Sequence, residues 1–396
     1  MQQNTEIVVV GGGYAGVMAA NRLTQRDDVT VTVVNPRRVF VPRLRLHQLV
    51  GGTHDAVVAY DDVLAEGVRL VVDSVTRIDA AERSVTLAEG GTIGYDYLVY
   101  AVGSGSAGPQ VPGAAEFAYP IATLDAAQRL RSVLADRPLA AGVTVVGGGP
   151  TGIETAAELA EQGRAVTLVC GAALGPYLHP RARRTARKYL ARLGVRVIEG
   201  PKASVTAVTQ ESVELGDGRT LPSEVTIWTA GFGVPDLAAR SGLRTDAAGR
   251  LITDETLTSV NDERIVAAGD SSAPSELPFR MSAYAAGCLG AHAADTVLHR
   301  IAGERPTPID LSFSAMCISF GRHAGIFQLA HKNDVAAPLY FPGRAGKKLK
   351  ELSCAFSVKH LVKEAEKPGS HSWPKDGKHR PQLLRTRRDD TTPSVA

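Results

Sequence analysis

No two of the four cysteines stand close together. Cys170, Cys288, Cys317 and Cys354 form no C-x-x-C pair. Disulfide frameworks belong to small, cysteine-dense secreted domains, so this usage excludes such a scaffold and favours buried free thiols. Long apolar runs are also missing, and nothing approaches the roughly 20 residues that a membrane-spanning helix needs. The formal net charge is only +3 over 396 residues, too small a surplus to argue for a nucleic-acid partner. No basic lead or cleavage site precedes the first apolar strand at Ile7. A secretory signal is therefore not expected, and the location expected is cytoplasmic, with the inner face of a membrane as the only membrane association considered.

Glycine, by contrast, is plentiful, with 40 residues, many of them in turns of one recognisable kind. The length suits two or three domains. The first unit reads Ile7-Val-Val-Val-Gly-Gly-Gly-Tyr-Ala-Gly16, a buried strand, a glycine turn and the start of a helix, with a second strand at Val29 to Val34. This is the spacing of a βαβ unit. Val68 to Ile78 and Ser84 to Leu87 alternate as strands of a small antiparallel element, and Tyr97 to Ala101 is a short apolar strand. Pro109, Pro112 and Pro120 mark a linker. The pattern then recurs as Val143-Thr-Val-Val-Gly-Gly-Gly-Pro-Thr-Gly152, with strands at 166–169, 195–198 and 225–229 and a basic helix over 181–192.

The expected fold is α/β: two Rossmann-like, doubly wound domains, a small C-terminal α+β region and a disordered tail. The expected division is 1–117 for the first part of an FAD-binding domain, 118–248 for an NAD(P)H-binding domain and 249–308 for the second part of the first. Residues 309–366 would form the C-terminal domain. Beyond 367, Pro, Ser, Lys, Arg and Asp dominate and hydrophobes are sparse, which predicts disorder over 367–396.

Gly11, Gly13 and Gly16 form G-x-G-x-x-G between strand and helix. Such a turn lets the backbone approach a pyrophosphate, and the helix N-terminus then offers free N–H groups and a positive dipole end. Gly147, Gly149 and Gly152 repeat it. An acid commonly ends the second strand to bind ribose hydroxyls. Here Asn35 occupies that place in the first unit, and Cys170 and Gly171 in the second. Arg181, Arg183 and Arg184 follow, either as a solvated helix face or as a grip for the 2′-phosphate of NADPH, so the residues leave NADH and NADPH both open. Glu154, in the first turn of the second helix, is read either as a carboxylate at a positive helix end or as a contact to the nicotinamide. Asp270 closes the strand Ile265 to Gly269, either as a helix N-cap or as a partner for the ribityl hydroxyls of a flavin.

Taken together, Gly11 to Gly16, Tyr97 to Gly103, Gly147 to Glu154, Trp228 to Phe232 and Ala267 to Asp270 resemble the two-dinucleotide-binding flavoproteins of the pyridine nucleotide oxidoreductase superfamily. Within it the chain looks most like the type II NADH:quinone oxidoreductases and the apoptosis-inducing-factor-like reductases. The resemblance implies FAD as cofactor, NADH or NADPH as hydride donor, and flavin as the group that carries the electrons. It extends the cofactor contacts to Tyr14, Ala15, Pro42, Arg43, Val75, Ala101, Gly103, Gly231, Gly269 and Ala283. It also makes Glu154 and Tyr284 the candidate catalytic side chains. Phe40 to Gly52 lies where disulfide reductases carry their paired cysteines, and this segment has none.

The resemblance implies a quinone as acceptor. The glutamine pair that the quinone-reducing enzymes carry after the Gly-Asp element is missing, because that helix reads Met281-Ser-Ala-Tyr-Ala-Ala-Gly-Cys-Leu-Gly290. Tyr284 would line a site above the flavin or simply pack. Another small acceptor, and a slow-turnover flavin redox sensor, are the competing functions. In the region 344–365, Ala345, Leu349, Leu352 and Phe356 form a stripe at helical spacing with lysines around it. Such a helix would lie on an anionic membrane or on the protein's own flavin domain. The partners to consider are thus a nicotinamide nucleotide, a quinone or other acceptor, a membrane surface and a second copy of the chain in a homodimer.

Overall fold

A computed structural model describes residues 4–391 except Ala107 and Pro109, with backbone alone from 388 to 391. Pro109 of the expected linker therefore lies outside the described residues. Two five-stranded parallel sheets carry the molecule. The first runs in the order Ile265–Ala267, Tyr97–Tyr100, Thr5–Val10, Val29–Asn35 and Arg69–Val72. The second runs Ala118–Pro120, Val225–Trp228, Val143–Val146, Val166–Val169 and Arg196–Ile198. In both, the strand that feeds the glycine turn is central. The uninterrupted Ile-Val-Val-Val of the first and Val-Thr-Val-Val of the second are buried along their length, as central strands of a sheet covered on both faces must be. Ile265–Ala267 pairs with Tyr97–Tyr100, so the chain returns from the second sheet to the first.

The stretch Val68 to Ile78 divides. Arg69–Val72 pairs in parallel with Val29–Asn35, whereas Val75–Asp79 joins Ser84–Leu87 and Thr92–Gly94 in an antiparallel meander. A second meander, Val205–Val208, Ser212–Leu215 and Thr220–Pro222, stands at the corresponding place in the second unit.

Three antiparallel strands, Ala315–Phe320, Ala324–Ala330 and Ala336–Pro342, precede the 24-residue helix Gly343–Glu366. A Cβ on Gly346 would overlap the backbone of Gly325, so helix and sheet meet backbone to backbone only because both positions lack a side chain. Of the two placements expected for the helix, its later half packs on the first unit's core through Val358, Leu361 and Val362, while the stripe in its first half is not the face turned inward. Lys347, Lys350, Cys354 and Glu364 face inward, while Leu352 and Phe356 are 43% and 49% exposed and Ala345 is exposed. The lysines expected to ring an apolar face are thus partly its replacement, because the body of the protein offers them carboxylates.

The first part of the expected tail, as far as Arg387, makes defined contacts with the body of the protein. The Trp373 indole donates to the Asp310 carbonyl at 2.9 Å. Arg380 is buried, grips Glu255 through Nε and Nη2 at 2.6 and 2.9 Å, and lies 4.1 Å from the ring centre of Phe279. A helix follows at His379–Thr391. Composition suggested disorder because this segment has few apolar residues; bidentate ion pairing and stacking substitute for them. Residues 392–396 lie outside the described residues.

Candidate active site

One cavity of about 1230 Å³ opens between the two sheets and the C-terminal region. Both glycine turns reach it. Gly16 and Gly152 have no room for a side chain, because a Cβ would overlap the carbonyl oxygens of Gly11 and Gly147. Gly13 and Gly149, by contrast, face open space and line the cavity. Each is the N-cap of the following helix, and neither helix start has a side-chain cap. Free N–H groups and a positive helix end therefore point into the cavity from both turns.

Around the first turn, Asn35 is already committed. Its Oδ1 accepts from Gly12 N at 3.0 Å and its Nδ2 donates to the Arg37 carbonyl at 2.9 Å, while the Tyr60 hydroxyl donates to the Gly12 carbonyl at 2.8 Å. Asn35 thus braces the turn itself. Tyr14, Ala15, Ala101, Gly103, Gly231, Gly269 and Ala283 line the cavity. Gly11, Gly16, Gly147 and Gly152 form the skeleton behind it. Pro42 precedes the short helical turn Arg43–Arg45, and Val75 lies on the meander; neither lines the cavity.

Asp270 faces the cavity from a short helical turn, Gly269–Ser271. Its Oδ2 accepts from the Ser104 hydroxyl at 2.7 Å, which in turn accepts from Arg43 Nη1 at 3.1 Å. It does not cap the following helix, Ala283–Ile301, which Ser282 caps by accepting from Ala285 N at 3.1 Å. Tyr284 lines the cavity with its ring edge toward Phe313, and its hydroxyl donates to the Ser312 carbonyl at 3.0 Å.

Glu154 is 5% exposed and sits where the cavity meets the C-terminal sheet. Its Oε1 accepts from Ser319 N at 2.9 Å and from the Ser319 hydroxyl at 3.1 Å, and pairs with Lys350 Nζ at 2.9 Å. His47 Nδ1 stands 3.8 Å from Oε2. Burial alone would raise the Glu154 carboxyl, but Lys350 and His47 hold it below the usual carboxylate range. The same carboxylate raises Lys350 against the opposing effect of burial. Burial takes His47 down to about 4, so its imidazole is neutral near pH 7. Sequence reasoning missed Lys350. In a run with Lys347 and Lys348 it looks like any solvated cation, and only its inward place on the helix distinguishes it.

Phe356, His360, Leu361 and His371 form one lobe of the same cavity's wall, and Met316 and Phe327 also line the cavity. The two imidazole rings lie 5.1 Å apart, centre to centre. His371 belongs to the segment after the long helix, so that segment contributes to the cavity wall.

A family model described as pyridine nucleotide-disulphide oxidoreductase matches residues 5–287. The chain belongs to that family. It is 34% identical over 294 residues to the NADH dehydrogenase-like protein Rv1812c of Mycobacterium tuberculosis, covering 68% of this chain and 73% of that protein. It is 25% identical over 370 residues to the type II NADH:quinone oxidoreductase of Staphylococcus haemolyticus, covering 82% and 90%. Among solved structures it is similar to NDH2 from Plasmodium falciparum in complex with NADH, with TM-score 0.76 at 16% identity over 94% of this chain and 99% of that one. The sulfide:quinone oxidoreductase of Aquifex aeolicus gives TM-score 0.76 at 20% identity, over 91% and 92%.

This oxidoreductase is an FAD-dependent enzyme that takes its reducing equivalents from a nicotinamide nucleotide. The residues present fit the flavin nucleotide. The first turn offers an uncapped helix end and open space at Gly13, and the cavity exceeds the roughly 300–1,000 Å³ of an ordinary small-ligand pocket. Among the described residues, no helix is long and apolar enough to cross a membrane.

Proposed function

We propose that this oxidoreductase passes two electrons from NADH or NADPH to a quinone-type acceptor that enters the lobe walled by Phe356, His360, Leu361 and His371. The observation that carries the reading is the continuity of one cavity from both glycine turns to an apolar lobe edged by Phe356 and Leu361. A planar, lipophilic acceptor suits such walls. Bound flavin supplies the two-electron relay between nicotinamide and acceptor. The chain's own residues do the rest. The turn at Gly11 to Gly16 holds one diphosphate and the turn at Gly147 to Gly152 the other. Asp270, held by Ser104 and Arg43, offers a carboxylate to ribityl hydroxyls. Glu154, kept ionised by Lys350, places a fixed ion pair at the junction of the two sheets, where charge is redistributed during transfer. His360 and His371 offer hydrogen-bonding nitrogens to an acceptor carbonyl in the lobe. Reduction of a quinone by NADH consumes one further proton, which reaches the lobe from solvent.

Leu339, Phe341, Leu352 and Phe356 are exposed on the last strand and the following helix, with Lys348 and Lys359 nearby in sequence. A lipophilic acceptor and a peripheral position on an anionic membrane agree with that surface. A non-quinone acceptor is the competing reading, favoured by Tyr284 and Cys288 standing where the glutamine pair is missing. Steady-state oxidation of NADH by the purified holoprotein with menadione, and with O₂ alone, decides between them. Fast turnover that requires menadione is expected. Turnover no faster with menadione than with O₂ would overturn the quinone assignment while leaving the flavin chemistry intact.

A further inference from the structure

The second dinucleotide site lacks an acid at the end of its second strand, where Cys170 and Gly171 stand. The fold supplies one from the neighbouring strand. Arg196–Ile198 pairs in parallel with Val166–Val169, and Cys170 N donates to the Ile198 carbonyl and Gly200 N to the Gly171 carbonyl, both at 2.8 Å. These bonds bring Glu199 beside Cys170. The proximity is also visible in the Cys170 thiol, which burial raises to about 12 with Glu199 adding to the effect. Gly171 and Gly200 leave open space there, since neither would bring a Cβ within 4 Å of anything.

Glu199 is held in a defined orientation. Its Oε2 accepts from Leu174 N at 2.9 Å, and its Oε1 accepts from Arg187 Nε at 2.7 Å and Nη2 at 2.6 Å. Leu174 belongs to the loop that passes over the glycine turn, where a Cβ on Gly148 would overlap the carbonyl of Ala173. The carboxylate is thus fixed to the loop that frames the nucleotide. Two arginines of the basic helix Pro180–Arg192 are already committed within the protein. Arg187 is spent on Glu199, and Arg183 Nη2 donates to the carbonyls of Pro176 and Leu178 at 3.3 Å each. Arg181 and Arg184 are exposed.

A nucleotide whose diphosphate sits on Gly147 to Gly152 places its adenosine ribose at the end of the second strand. We propose that Glu199 selects NADH over NADPH, by accepting a hydrogen bond from the ribose 2′-hydroxyl and by repelling a 2′-phosphate. A carboxylate is a strong acceptor for a hydroxyl, and, even with Arg187 paired to it, it offers a 2′-phosphate no donor and adds negative charge beside it. This inference goes beyond the choice of acceptor and does not depend on it.

The test uses purified holoprotein without any acceptor. Anaerobic bleaching of the bound flavin is followed after mixing with NADH or NADPH, and the binding of NAD⁺ and NADP⁺ is measured separately by calorimetry. The native protein is expected to favour NADH and NAD⁺ by at least about tenfold. Glu199→Gln removes the charge but keeps an oxygen for Leu174 N, and should shift both ratios about tenfold toward the phosphorylated coenzyme. Glu199→Ala should shift them the same way. Equal use of both coenzymes by the native protein would overturn the proposal. So would a Glu199→Gln protein that loses affinity for both to the same extent, since a purely structural role predicts that result. Failure of menadione as acceptor would leave these ratios untouched.

Discussion

The two glycine turns have the same skeleton but different surroundings. At the first, side chains brace the loop from both sides: Asn35 accepts from Gly12 N and Tyr60 donates to Gly12 O. The helix that follows is clamped by Ala283–Ile301, where a Cβ on Gly290 would overlap the Ala15 carbonyl. At the second, the loop is held by backbone, through Gly175 N donating to the Gly148 carbonyl at 2.8 Å. The helices differ at one facing position as well. Met18 lines the cavity from the first, and Glu154, paired with Lys350, from the second. A turn locked by buried side chains suits a cofactor that stays; a turn closed by one loop suits a coenzyme that enters and leaves each cycle. Similar motifs thus support different residence times because of what packs around them.

The sharpest way to break this comparison is to fill each turn in turn. Gly16→Val forces a side chain into the Gly11 carbonyl, and the protein should purify without visible flavin absorption. Gly152→Val makes the same clash at Gly147. It should retain flavin yet be reduced by NADH roughly 100-fold more slowly, since a shift of about 1 Å in a bound substrate costs that much. Flavin loss from both variants would mean that the two halves do not fold independently. Next in size is the ion pair that only the second helix carries. Lys350→Met leaves Glu154 buried and unpaired, and urea unfolding should show a loss of about 3–5 kcal/mol, mostly restored by adding Glu154→Gln. An additive double variant would show that the two charges are not coupled.

A smaller effect is expected at the first turn's brace. Asn35→Ala removes the acceptor for Gly12 N, and the rate of FAD release should rise by about fivefold, from the loss of roughly 1 kcal/mol. No change would mean that the brace does not control residence. Confined to acid conditions is the pH effect of His47, whose burial lowers it from 6.5 to about 4. Between those values the unfolded chain binds a proton that the folded one refuses, so stability should fall as pH drops through this window. Calorimetric melting temperatures for His47→Gln should fall less steeply there. Parallel curves for the two proteins would remove His47 from the acid response.

Much of this architecture is written locally. Four apolar residues running into G-x-G-x-x-G demand a buried strand, a tight turn and a helix N-terminus, because each requirement is met by residues within one βαβ unit. That is why both turns, Asp270 and the empty strand end at Cys170 were legible. The helix Gly343–Glu366 was legible as a helix but not in its orientation. Counting apolar residues left open whether Leu352 and Phe356 face a membrane or the protein, and the structure leaves them exposed and turns Lys350 in.

The sequence by itself therefore determined the two strand–turn–helix units that can hold a diphosphate, since spacing along a few residues sets turn geometry; the flavin followed from the resemblance that the motifs together carry. Only the tertiary structure decided that Lys350 neutralises Glu154, that Arg380 pins the tail to Glu255, and that Glu199 stands beside Cys170. Each of these joins charges or strands that no local pattern links, and a buried charge reveals its partner only once both have been removed from water.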